Sequence, residues 1–175
     1  APAYEKIIYD ALEWLVLAPD EGPDQGGHYY PSRSSERFAL YSKIAEQLVA
    51  EGAAYPAYET PEELTAMREA QAAAKQPPRY NGAHRDLTPE QRLAYEKAGR
   101  RSVLRLRIPE GETVFEDAVY GRVSWKNSEI DDFVIQKSDG SPTYNFACVV
   151  DDNAMAISHV IRGEDGLSNT PRQIV

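Results

Sequence analysis

Four arginines lie close together in this chain, Arg100, Arg101, Arg105 and Arg107. In the stretch SVLRLRI, Leu104, Leu106 and Ile108 alternate with Arg105 and Arg107, the two-residue period of a strand with one buried and one wet face. Guanidinium forks along a wet face could hold the phosphates of a nucleic acid. The same alternation also describes the solvated outer face of an ordinary antiparallel sheet. Lys75, Arg79 and Arg85 form a second, weaker basic cluster. Cys148 is the only cysteine, so neither an internal disulfide nor a cluster of thiolates around a structural zinc can form. Its plain reading is a small buried hydrophobe.

The elements that would position these residues can be read from period and punctuation. From Tyr4 to Leu17, Ile7, Ile8, Ala11, Leu12, Trp14 and Leu15 recur at helical spacing. The Gly- and Pro-rich segment APDEGPDQGGHYYPSRSSE has no period and reads as a long loop. A second amphipathic helix is expected from Ser35 to about Glu51, stopped by Gly52. The strings TPEE and TPEQ are capping boxes, in which Thr60 or Thr88 caps the free amides, Pro61 or Pro89 opens the helix, and Glu63 or Gln91 reaches back. These helices should end near Lys75 and Gly99. Strands are expected through SVLRLRI and at Thr113–Phe115, Arg122–Trp125 and Phe133–Lys137, followed by a tight turn at SDGS, where Gly140 can take a positive φ.

The chain has 175 residues, 42% of them hydrophobic and 27% charged, room for one ordinary domain with a soluble composition. Its formal net charge of -9 argues against indiscriminate binding to nucleic acid, so any RNA contact must be local. No apolar run is long enough to span a bilayer and no basic leader precedes the first helix, which with the single cysteine leads to the expectation of a cytoplasmic protein. The chain begins without Met and stops at TPRQIV, where a helix is starting, so a piece of a longer protein is expected.

From Ser138 onward the strings SDGSPTYNFACVVDD and ISHVIRGEDGLSNTPRQI resemble the centre of a bacterial glutamyl-tRNA synthetase. The earlier strings YEKIIYDALEWL, DEGPD, SERFALY, YETPEELTAMRE, PPRYNG and NSEIDDFV resemble that family in the same order. A colinear series over nearly the whole chain is far more specific than any one pattern in it. The resemblance implies an α/β fold, part of the nucleotide-binding, Rossmann-like fold of a class I synthetase, interrupted by an α+β insertion that binds the tRNA acceptor stem. Residues 1–53 and 140–175 would belong to the catalytic fold and 54–139 to the insertion.

The family's glutamate pocket includes the tyrosine of PTY and the arginine of VIRGED, which are Tyr144 and Arg162 in this sequence. A substrate with two carboxylates needs a guanidinium fork for one of them and a hydroxyl for orientation. Cys148 falls where some members line the amino-acid pocket, and Asp165 where the family places an acidic residue near the ATP. The implied substrates are glutamate, ATP with Mg, and tRNA(Glu), with the arginines 105 and 107 as candidate acceptor-stem contacts. The reaction would be attack of glutamate's α-carboxylate on the α-phosphate, then transfer to the tRNA's terminal ribose. Arg162 and Tyr144 would bind and orient, and no residue is assigned as acid or base.

Many relatives hold zinc with cysteines where this chain has Ala57, Glu59 and His84. Without thiolates those positions make a poor structural zinc site, so no zinc is expected. The family's His-containing ATP signature and its Lys-Met-Ser-Lys loop are also missing, so the chain alone should not activate glutamate. The expected enzyme is a monomeric glutamate–tRNA ligase of which this is a segment. The alternatives are a non-catalytic acceptor-stem binding module and, ranked last, a relative that glutamylates a modified tRNA base.

Overall fold

The computed structural model describes residues 2–175, which form two compact units divided after Arg37. The first holds α1 (Pro2–Trp14) and the Gly- and Pro-rich loop. The helix ends three residues before the expected Leu17, because Val16 turns left-handed at φ 57°. Leu17 N–H then bonds the Leu12 carbonyl at 2.8 Å and Val16 N–H bonds Glu13 at 3.0 Å, the paired bonds of a Schellman stop. The loop owes its order to Arg33, whose guanidinium donates to Glu5 at 2.5 Å and Asp24 at 3.1 Å. A short bridge between Gly22 and Gly26 closes its tip.

The second unit, Phe38–Val175, begins with α2 (Phe38–Ala50). The expected start at Ser35 is instead a single 3₁₀ turn, Ser34–Glu36, broken by Arg37 at φ -114°. Strand β1 (Ala54–Ala57) leads to α3 (Pro61–Ala73) and α4 (Pro89–Lys97), both opened by complete capping boxes as their local sequence demands. Strands β2 (Val103–Leu106), β3 (Glu112–Asp117), β4 (Gly121–Lys126) and β5 (Val134–Gln136) follow, then α5 (Tyr144–Ala154), a 3₁₀ segment at Glu164–Asn169 and α6 (Thr170–Ile174).

One sheet is antiparallel in the order β1–β2–β5, and β3 pairs with β4 as a separate hairpin. The central strand β2 has both faces covered. Leu104 and Leu106 pack on the cluster of Tyr41, Ala45, Ile135, Phe146 and Val150 from α2, β5 and α5. Val103 lies against the opposite cluster of Tyr55, Ala57 and Tyr80.

This second cover corrects the reading of the arginine face. Arg105 is 7% exposed, with its guanidinium 3.6 Å from the centroid of the Tyr80 ring and Nη1 donating to the Asp132 carbonyl at 2.7 Å. Arg107 lies 5.3 Å over Tyr55 and donates to Asp86 at 2.8 Å and to the Arg85 carbonyl at 2.5 Å. A planar, weakly hydrated guanidinium can stack on an aromatic face where an ammonium would resist burial, so alternation of Leu and Arg here marks two interior faces. Asp132 is the hub, accepting from Tyr55 Oη at 2.6 Å, Arg85 Nη1 at 3.2 Å and Ile108 N–H at 3.0 Å.

Candidate functional site

The site residues of the last third are placed by the turn that SDGS makes. Gly140 takes φ 84°, a conformation that suits glycine, and Lys137 N–H reaches the Ser141 carbonyl at 2.9 Å. Asp139 accepts from the Ser141 amide at 2.9 Å and from its hydroxyl at 2.6 Å. The hydroxyl first and the amide second hold the Asp139 carboxyl below its usual range. Thr143 then pins the chain to β5, its amide donating to Ile135 at 2.9 Å and its hydroxyl to the Val134 carbonyl at 2.8 Å. So fixed, α5 buries Phe146 and Val150 and turns Tyr144 and Cys148, one helical turn apart, to another face.

Tyr144 is 66% exposed, one helical turn before Cys148. Its phenol sits above its ordinary value, chiefly through the Cys148 side chain, and like any unshifted phenol it is a neutral donor at pH 7. Burial, ahead of the carboxylates of Asp152 and Asp151, pushes the Cys148 thiol up, which keeps it protonated. The positive charge of Arg162 opposes both shifts. Cys148 is half-buried, between the buried hydrophobe and the pocket-lining role.

Arg162 is held from the far side. Its Nη1 donates to Gln173 Oε1 at 3.0 Å and its Nη2 donates to the Thr170 hydroxyl, both on α6. Gln173 in turn donates to Asn145 Oδ1 at 3.1 Å, which ties the arginine to the first turn of α5. The arginine stem passes so close to Gly166 that a Cβ there would stand 2.5 Å from Cδ. Both partners are neutral, and no carboxylate among the described residues pairs with this guanidinium. Asp165 is exposed on the adjoining 3₁₀ segment. The structure thus sets Tyr144 and Cys148 one turn apart on α5 and ties Arg162 to the first turn of that helix through Gln173 and Asn145, with Asp165 three residues further along the chain. Asn145, Gly166, Thr170 and Gln173 were missed in the sequence, where SNTPRQ reads only as a polar cluster.

The other basic candidates separate by burial. Arg100 is bidentate to Glu63, at 2.8 and 2.9 Å, and stacks 5.1 Å over Tyr95. Arg79 donates to the Ser128 carbonyl at 2.5 Å, and Arg85 is engaged with Asp132. Arg101 and Arg68 are exposed and line a groove of about 480 Å³ with Arg100, Thr65 and Ser138. At the metal-candidate positions, His84 Nδ1 accepts Tyr58 N–H at 2.9 Å and lies 3.0 Å from Glu59, whose same oxygen accepts from Tyr80. Among the described residues no group of three or more His, Cys, Asp or Glu is arranged to hold a metal ion. No helix of the described residues is long and apolar enough to cross a membrane.

Residues 1–175 match the family described as tRNA synthetases class I (E and Q), catalytic domain, and the chain belongs to that family. Among its relatives is a glutamate–tRNA ligase of Halalkalibacterium halodurans, 55% identical over 99% of this chain and 36% of that protein. Another, from Natranaerobius thermophilus, is 51% identical over 98% of this chain and 36% of its own length. The crystal structure of a glutamate tRNA ligase from Elizabethkingia meningosepticum in complex with its amino acid superposes with a TM-score of 0.92 at 36% identity, over 99% of this chain and 36% of that one. The chain therefore spans about 36% of the length of the relatives it matches.

Proposed function

We propose that this chain forms the amino-acid pocket and acceptor-stem insertion of a glutamate–tRNA ligase, an enzyme that activates glutamate with ATP and transfers it to tRNA(Glu). The observation that carries the reading is Arg162, an arginine held in place by two neutral acceptors with no carboxylate partner among the described residues. A fixed guanidinium lacking a counter-charge attracts an anionic ligand, and a carboxylate matches its fork. Tyr144 supplies a hydroxyl that stays protonated, a donor for a second polar group of the same substrate. Asp165 is the proposed contact to the ATP, which carries its Mg as part of the substrate.

In this scheme the residues act by position. Arg162 and Tyr144 orient glutamate so that its α-carboxylate faces the α-phosphate of ATP, and the bond formed there releases pyrophosphate. The terminal ribose hydroxyl of the tRNA then displaces AMP from the mixed anhydride, taking the glutamyl group. For the acceptor stem, the burial of Arg105 and the internal bonds of Arg107 favour Arg68 and Arg101 as the phosphate contacts.

The test is glutamate-dependent aminoacylation by the full-length enzyme with Arg162→Ala. The expected result is a selective loss in kcat/KM for glutamate. A variant that binds tRNA normally and whose wild type shows no aminoacylation would instead favour the non-catalytic acceptor-stem module.

A further inference from the structure

Arg162 is exposed, whereas the side chains behind it, Asn145, Thr170 and Gln173, are half-buried. A guanidinium has N–H donors and no acceptor, so any amide that meets it must present its oxygen. Gln173 does so, with Oε1 accepting from Arg162 Nη1 at 3.0 Å. Its NH₂ group must then find an acceptor elsewhere, and Nε2 donates to Asn145 Oδ1 at 3.1 Å. That bond in turn sets Asn145, whose Nδ2 points to Asn169 Oδ1 at 3.5 Å. The polarity of the row therefore runs one way, from the arginine through α6 to the first turn of α5. Each acceptor in it is a neutral amide, and the second grip on Arg162, Thr170, is a hydroxyl.

We propose that Gln173 is a positioning residue for glutamate, an uncharged acceptor that Asn145 locks with its oxygen toward Arg162, so that the guanidinium is oriented without being neutralised. The proposal rests on the reading of Arg162 as the glutamate-binding arginine. A carboxylate at position 173 would accept the same N–H more strongly. It would also cancel the charge that the substrate carboxylate has to meet, so glutamate would have to share or displace an ion pair. Gln173 supplies the hydrogen bond and no charge. Asn145 acts one step further back. An amide turned over by half a rotation would set its NH₂ against the guanidinium N–H, donor against donor, and the bond to Asn145 Oδ1 opposes that rotation. Asn145 follows Tyr144 in the chain, so the same row also registers Arg162 against the helix that carries the tyrosine. A fork aimed at a carboxylate tolerates little displacement, which is why its support matters to binding.

The experiment uses the full-length enzyme and steady-state aminoacylation with Gln173→Ala, Gln173→Glu, Asn145→Ala and the double variant Asn145→Ala/Gln173→Ala. Gln173→Ala should raise the glutamate KM about three- to tenfold, the range of one hydrogen bond. Gln173→Glu keeps the shape and offers Arg162 a stronger acceptor, so a merely structural role makes it the milder change. If Gln173 matters by staying uncharged, Gln173→Glu is the worse of the two, with a glutamate KM at least about threefold above that of Gln173→Ala. The KM for ATP and the melting temperature should stay near wild type in both. Asn145→Ala should shift the glutamate KM in the same direction, and the double variant should be little worse than Gln173→Ala, because both substitutions break one row. The proposal is overturned if Gln173→Glu binds glutamate as well as Gln173→Ala or better, if Gln173→Ala leaves the glutamate KM within about twofold, or if the effects of Asn145→Ala and Gln173→Ala add in full. Arg162→Ala, measured alongside, separates the two ideas. A damaged Arg162→Ala enzyme with silent Gln173 variants removes the role of Gln173 alone, whereas an undamaged Arg162→Ala enzyme removes the pocket reading beneath it.

Discussion

Replacing Arg162 with Ala in the full-length enzyme removes a guanidinium that pairs with no carboxylate among the described residues and that Thr170 and Gln173 hold in one orientation. With glutamate bound as proposed, its carboxylate would be left without a charged partner. Loss of one member of such a pair costs about 2 to 5 kcal/mol. At a factor of ten for each ~1.4 kcal/mol, glutamate kcat/KM should fall by a few tens to a few thousand times. Arg162→Lys should recover little, because a point ammonium cannot reach Gln173, Thr170 and a carboxylate together. Steady-state aminoacylation at varied glutamate, with ATP varied as a control, measures the split, and the ATP KM should change far less. If a folded Arg162→Ala enzyme kept glutamate KM and kcat within about a factor of two, the effect would be smaller than one ordinary hydrogen bond, and the pocket assignment would fall.

Arg105→Ala should lower the stability of the second unit by about 2 to 4 kcal/mol, read from urea midpoints, since it empties the space over Tyr80 and frees the Asp132 carbonyl; an unchanged midpoint would mean that Arg105 is not packed inside. Arg68→Ala and Arg101→Ala should each weaken tRNA binding and reduce the slope of log K against log salt by about 1, with glutamate KM unaffected. A slope identical to wild type in both would remove this groove as the phosphate contact. Elemental analysis of the purified protein should find no stoichiometric zinc, because Glu59 and His84 are held by Tyr80 and Tyr58 in place of thiolate ligands; one tightly held zinc per chain would contradict that assignment.

What could be read from the sequence was what local chemistry decides. Both capping boxes form where Thr60 and Thr88 announce them, since cap, proline and returning side chain lie within one turn of chain. The stops at Gly52 and Gly99, at φ 75° and 73°, were legible because glycine advertises a left-handed residue. Equivalent stops at Val16, Lys75 and Ala156, at φ 57°, 53° and 53°, carry no such sign, and the first helix was accordingly drawn too long. Tyr144 and Arg162 were chosen through motif strings alone, and only the structure shows Arg162 linked through Gln173 to Asn145, the residue after Tyr144.

The rest depended on packing between distant segments. Whether the arginine face of β2 is wet or covered is decided by Tyr55 and Tyr80, which arrive from 50 and 25 residues earlier in the chain than Arg105. Alternation alone describes two faces and cannot say what lies against the second. The grip on Arg162 is likewise tertiary, because Asn145, Thr170 and Gln173 meet only once α5 and α6 have packed. Side-chain type and period determined which elements form and where most of them begin. The orientation of each arginine, inward to a tyrosine or outward to a ligand, was decided by which neighbours could desolvate it and still satisfy its N–H groups.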